Sequence, residues 1–260
     1  MAKDKQPTQE VAVKADQQLS TEVSDLSNWG VPQTMSSDII IPKILPMQGL
    51  SDLVTDGKAV MGEFRDSLTG EKLGSITEPI ELIPFAVQKV WDIYKEEGGD
   101  FKWTQTIPLV EDPAKADYND LLPWADKDLE GNNIKRVRRM NFFVLRPSDV
   151  ATGTALPFII SFKSTSFVEG KKIFSQMYMR NLSQKLPPPA YTVKIGGTKE
   201  KNDKGVFIVP KFELGRRTNS DELTQCLYWF KQVNKLKIDE KDVQEASDFG
   251  QAQATGTGDY

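Results

Sequence analysis

Every apolar run of this 260-residue chain falls between about Ile39 and Val233, so its core must be built from that stretch. With 38% apolar residues the chain can bury a real core, and its length fits one domain with extensions. Residues 1–37 are rich in Gln, Ser, Thr, Asp and Lys without helical or strand periodicity, and read as a disordered segment. From Ile238 onward 6 acids face one lysine among Gln, Ala, Thr and Gly, which reads as an acidic disordered tail. The expected organisation is a segment 1–37, a domain 38–236 and a tail 237–260.

Within the domain most apolar runs have strand character. The run Ile39 to Pro46 is β-branched but carries two prolines, which restricts it to a sheet edge. Ile80 to Tyr94 is the longest β-like stretch, with Pro84 marking a bulge or an edge. Lys135 to Leu145 and Pro157 to Phe162 read as strands of one hairpin. Tyr191 to Ile195 and Val206 to Leu214 read as another. Two helices are expected. Ser166 and Glu169 fit a capping box opening a helix that buries Ile173, Phe174, Met177 and Tyr178, with Lys171 and Lys172 pointing away, until Pro187-Pro188-Pro189 ends it. Thr218 to Glu222 caps a second helix with Leu223, Cys226, Leu227, Phe230 and Val233 at helical spacing. Between them, residues 96–130 hold 10 acids and 3 lysines, interrupted by Gly98-Gly99, Pro108, Pro113 and Pro123. This is a long acidic insertion, with a short hairpin expected around Trp103 to Val110.

Composition excludes several chemistries. Histidine is absent, which removes Ser-His and Cys-His catalysis, His-based metal sites and histidine pH switching. One cysteine, Cys226, cannot form a disulfide within one chain. No run of about 18 apolar residues spans a membrane, and the polar stretch from Lys3 to Asn28 has no signal-peptide character. No catalytic constellation, cofactor motif or clustered metal ligand is apparent, so no cofactor is expected. The expectation is a soluble, cytoplasmic protein that is not an enzyme.

Charge gives the binding signal. From Gly131 to Arg217 there are 17 Lys or Arg against 5 Asp or Glu, while the remaining residues hold 16 and 32. The overall charge of −4 therefore hides a strongly basic middle, a pattern suited to a polyanion partner. Lys135, Arg136, Arg138, Arg139 and Arg146 lie on one strand. Alternation places Arg136 and Arg138 on one face, with Lys135, Val137 and Arg139 on the other. Charges on both faces of a strand require at least one face to meet solvent or a partner. The excess extends to Lys171, Lys172, Arg180, Lys185, Lys194, Lys199, Lys201, Lys204, Lys211, Arg216 and Arg217. Trp91, Tyr94 and Trp103, at strand ends or in a polar hairpin, are the aromatics best placed to stack unpaired bases. Gly196-Gly197 lacks the helix that a phosphate-binding loop requires, and reads as a turn.

The basic β-rich body, the acidic stretch from Asp239 and the Asp259-Tyr260 end together resemble the single-stranded DNA-binding proteins of lytic phages, and more loosely those of bacteria. The stretches Ile41-Pro42-Lys43-Ile44, Gly62 to Gly70 and Lys185-Leu186-Pro187-Pro188 also look like phage proteins. The tail departs from the bacterial pattern, ending in Tyr rather than Phe after a single acid. The resemblance implies an OB-type β-barrel carrying the acidic insertion and two helices, a mainly β (α+β) fold with disordered termini. It implies binding of single-stranded DNA with little sequence preference, in phage replication or recombination. Asp259 and Tyr260 would compete for the groove and recruit replication or recombination proteins. The host-cell cytoplasm follows as the site of action. A phage structural or adaptor protein and a ring-forming strand-annealing recombination protein are the alternatives, and the oligomeric state stays open.

Overall fold

The architecture turns on two strands too long to have one neighbour each. In the computed structural model, which describes residues 40–202 and 205–233, β4 (Ile80–Glu97) and β7 (Asn133–Leu145) pair antiparallel from Ile83 to Lys95. The expectations for residues 1–37 and 237–260, Asp259 and Tyr260 included, lie outside the described residues. The other edge of β4 is shared by β9 (Tyr191–Asn202) at Ile80–Leu82 and by β5 (Asp100–Pro108) at Val90–Glu97. The other edge of β7 is shared by β8 (Phe158–Lys163) and the short β6 (Ala125–Lys127). β10 (Gly205–Arg217) completes the body by pairing with β9. The central pair thus runs from a body, β10-β9-β4-β7-β8, into an arm, β5-β4-β7-β6.

A smaller sheet, β1 (Ile44–Pro46), β2 (Glu63–Asp66) and β3 (Lys72–Ser75), meets the body through a parallel bridge between Lys43 and Ile159. Farther along, the Gln48 side chain stands in for a strand. Its amide nitrogen donates to the Ile208 carbonyl at 3.1 Å, and the Ile208 N–H donates to its oxygen at 2.8 Å. The fold is mainly β with few helices, and its sheets are not closed into a barrel.

The body explains the continuous apolar run at the end of β7. Met140, Phe142 and Val144 face one core with Phe158, Ile160 and Phe162 of β8, closed over by Ile173 and Met177. Phe143 and Leu145 face a second core with Ile83, Phe85, Ile159, Cys226 and Val233. A strand buried on both faces reads as unbroken hydrophobicity, not as alternation. Pro84 sits at a register shift between Pro84 and Ala86, where its missing N–H is tolerated. Gly98 and Gly99 turn the β4–β5 hairpin with φ of 64° and 94°, a conformation that favours glycine. They shape a regular element instead of interrupting one.

A helical connection, α2 (Pro147–Thr152), joins β7 to β8 after the short α1 (Asp52–Thr55) earlier in the chain. The larger helical segment runs α3 (Phe167–Phe174), a π-helical stretch Ser175–Arg180 and α4 (Asn181–Ser183). The capping box expected at Ser166 does not form. Its hydroxyl instead bonds the backbone of Lys163, and buried Glu169 turns to Lys172 and the Phe212 N–H. Ile173 and Met177 are buried as expected, whereas Phe174 and Tyr178 are half-buried and stacked, with ring centroids 4.7 Å apart. The last helix, α5 (Ser220–Val233), is capped by Asn219, which accepts from the Glu222 N–H while Glu222 accepts from the Asn219 N–H. Its inner stripe is Glu222, Cys226, Trp229 and Val233. Leu227 and Phe230, expected inside, are exposed, because the stripe is rotated to bring Glu222 against Arg216 and the Trp229 indole N–H onto the Ala155 carbonyl.

Candidate nucleic-acid interface

The arginine row of β7 lies in the arm, and the acidic insertion covers it. β-pairing sets Arg138 beside Trp91, and Arg136 beside Ile93, on one face. Residues 109–124 cross that face. The Arg138 guanidinium lies 2.9 Å from the Asp120 carboxylate and 4.9 Å from the Trp91 ring centroid, and donates to the Asp120 carbonyl. Arg136 donates to the Pro123 carbonyl at 3.0 Å and to Asp126 at 3.3 Å, with its side chain only 11% exposed. Trp91, expected as a stacking platform, is buried, and its indole N–H donates to the Asn119 carbonyl. Arg136 and Arg138 already have anions.

Arg139 has a different role. Its side chain is 6% exposed and lies 3.1 Å from Asp92, which is fully buried. Asp92 also accepts from Thr106, whose hydroxyl in turn accepts from the Trp103 indole. Losing either partner of such a buried pair would strand the other charge inside the arm. Arg146 is held by two 2.7 Å bonds to Asp149, and lies 4.0 Å from Glu71. The cationic end of Arg146 is therefore engaged.

On the opposite face of the arm, Lys135 pairs with Tyr94, which pairs with Trp103. The Lys135 ammonium lies 3.8 Å from the Phe101 ring centroid and 5.7 Å from that of Trp124. Tyr94 and Trp103 are half-buried there, and a shallow hollow of about 380 Å³ opens beside Phe101, Lys127 and Lys135. Of the sequence-predicted residues, Tyr94, Trp103 and Lys135 thus come together, while Trp91, Arg136 and Arg138 lie on the covered face.

Lys171 and Lys172 define a third place. They line an open groove of about 730 Å³ between the α3–π segment and β10, with Ser175, Gln176, Met179, Arg180 and Phe212. Val168 and Met179 on its walls are exposed, and Phe212 is half-buried. Lys172 pairs with Glu169 at 2.8 Å, but Lys171 and Arg180 make no ion pair among the described residues. Neither do Lys185, Lys199 or Lys201. The π-helical stretch widens the helix where it forms this wall, a distortion found often at functional sites. Phe212, Gln176 and the π turn were not legible as a site in sequence. Arg180 was visible only as one of many cations. Among the described residues no cluster of acids or cysteine could hold a metal ion.

Residues 14–238 match the family of Pam3 phage gp34-like proteins, which covers the whole described body. The chain belongs to that family. This Pam3 phage gp34-like chain is therefore a bacteriophage protein. No curated protein and no solved structure matches it. No helix among its described residues is long and apolar enough to cross a membrane.

Proposed function

We propose that the protein binds single-stranded DNA, largely without sequence preference and without catalysis, in the groove between the α3–π segment and β10. The observation that carries this reading is the distribution of unneutralised charge. The β7 arginines are internally paired, whereas Lys171 and Arg180 make no ion pair among the described residues and line an open groove with Phe212. Phosphates would meet Lys171, Lys172 and Arg180, and a base would stack on Phe212 at about 1–3 kcal/mol. The Lys135, Tyr94, Phe101 and Trp103 cluster offers a second stacking surface on the arm. Backbone charge and stacking carry little base information, hence the weak preference. In this reading the body is an OB-like platform acting in the host cytoplasm during replication or recombination, and the acidic tail ending in Asp259-Tyr260 competes for the groove and presents itself to partner proteins when DNA displaces it.

The test is anisotropy of labelled oligo-dT titrated with the full chain across a salt series. Binding should weaken with salt, and Lys171→Gln with Arg180→Gln should lower the slope of log affinity against log salt by about 1.4, two contacts at about 0.7 each. Absence of oligo-dT binding at low salt sinks the reading. An unchanged slope in the double variant removes the groove from it.

A further inference from the structure

We infer that the covered arginine face of the arm is a latent extension of the DNA site, and that the acidic insertion occupies it as a phosphate mimic until a single strand displaces it. This rests on the single-strand reading above, and adds a second surface and its regulation.

The insertion satisfies the face in the way a nucleic-acid backbone would. Carboxylates of Asp120 and Asp126 and carbonyls of Asp120 and Pro123 meet Arg138 and Arg136. The Asn119 carbonyl meets the indole N–H of Trp91. The fit is imperfect. Asp120 Oδ1 lies 2.9 Å from Arg138 yet makes no aligned hydrogen bond. A tetrahedral phosphate, with more oxygens and freedom to reorient, would engage the same guanidinium better.

The cover reaches neither core, although Leu109, Val110, Tyr118 and Leu122 are half-buried. No apolar residue between Trp91 and Ile134 is fully buried, so residues 109–124 contribute nothing to either core. Leu121 and Trp124 of the cover are exposed. The Arg138–Asp120 pair is partly solvated, with side chains 38% and 28% exposed, so it holds the cover weakly. Arg139 and Asp92, inaccessible beneath the strand, stay in place when the cover leaves. Displacement would expose Arg136, Arg138 and the Trp91 ring, two cations flanking one aromatic, the composition of a single-strand groove.

The experiment compares oligo-dT binding by the wild type, by Asp120→Asn with Asp126→Asn, and by Asp112→Asn with Asp117→Asn. The last pair removes the same charge from acids of the same insertion that make no ion pair among the described residues. Loosening the cover should raise affinity about five- to tenfold and steepen the salt slope by about 1.4, whereas the control pair should leave the slope unchanged. Adding Arg136→Gln and Arg138→Gln to the loosened variant should abolish the gain. Equal effects of the two acid pairs, or a gain that survives loss of the arginines, would overturn the inference while leaving the groove reading intact. Failure of every variant to bind oligo-dT would overturn both.

Discussion

Arg138 and Arg139 are neighbours in sequence and opposites in environment. Arg138 is partly exposed and bonded to a loop, whereas Arg139 lies against fully buried Asp92. Removing one partner of a buried pair strands the other charge, so Arg139→Met should cost about 3–5 kcal/mol in urea unfolding. Arg138→Met should cost less than about 1 kcal/mol. Equal costs would contradict the separation of a structural from a binding arginine. The sequence showed that Lys135 to Arg139 alternate between faces, because period-2 geometry is local. It did not show which face was covered. That depends on Asp92, Asp120 and Asp126, and cross-strand partners leave no local trace. Cys226 was legible as a helix-stripe residue, and its burial pushes the thiol up to about 12. It should stay inert to thiol reagents near neutral pH until the chain unfolds.

The helices and hairpins show where local rules suffice. The Asn219–Glu222 box formed because both partners lie within one turn and no other group competes for the Asn219 oxygen. Glu169 was drawn away from the expected box at Ser166 by Lys172 and by the N–H of Phe212 on β10. The hydrogen bond from Arg216 holds the Glu222 carboxyl below the ordinary carboxylate value. A depressed value means that the pair stabilises α5 fully above about 4.3, the unfolded value, and is lost as pH falls through the lower folded one. Glu222→Gln should therefore lower the melting temperature near neutral pH, and the difference should shrink in acid. A constant difference across that range would contradict this account. α3 approaches β8 through Gly170, where an added Cβ would lie 2.9 Å from the Phe162 Cβ. Gly170→Ala should destabilise by about 1–3 kcal/mol, measured by denaturant unfolding, because the helix must shift off the strand.

Across the whole molecule the β-rich character, the phage origin, the acidic insertion and the β7–β8 and β9–β10 hairpins were legible, whereas the pairing around β4 was not. Two long strands, each serving two neighbours on one edge, follow from contacts between residues as far apart as Leu82 and Val193. Charge segregation was visible as a count, but its meaning depends on the fold. Asp120 and Asp126 fold back onto Arg138 and Arg136, while Lys171 and Arg180, with no ion pair among the described residues, line the groove on the α3–π segment. The candidate site thus moved from the strand that looked most basic to the helix flanking it. Lys171 and Lys172 are the two cations named from sequence that line that groove. The central claim is that this groove holds single-stranded DNA. Its most direct test is photocrosslinking of iodouracil-substituted oligo-dT to the full chain, with the modified peptides read by mass spectrometry. Crosslinks at Phe212 and along 167–183 are the predicted result. Crosslinks confined to other segments, or none under conditions where the oligonucleotide is bound, would contradict it.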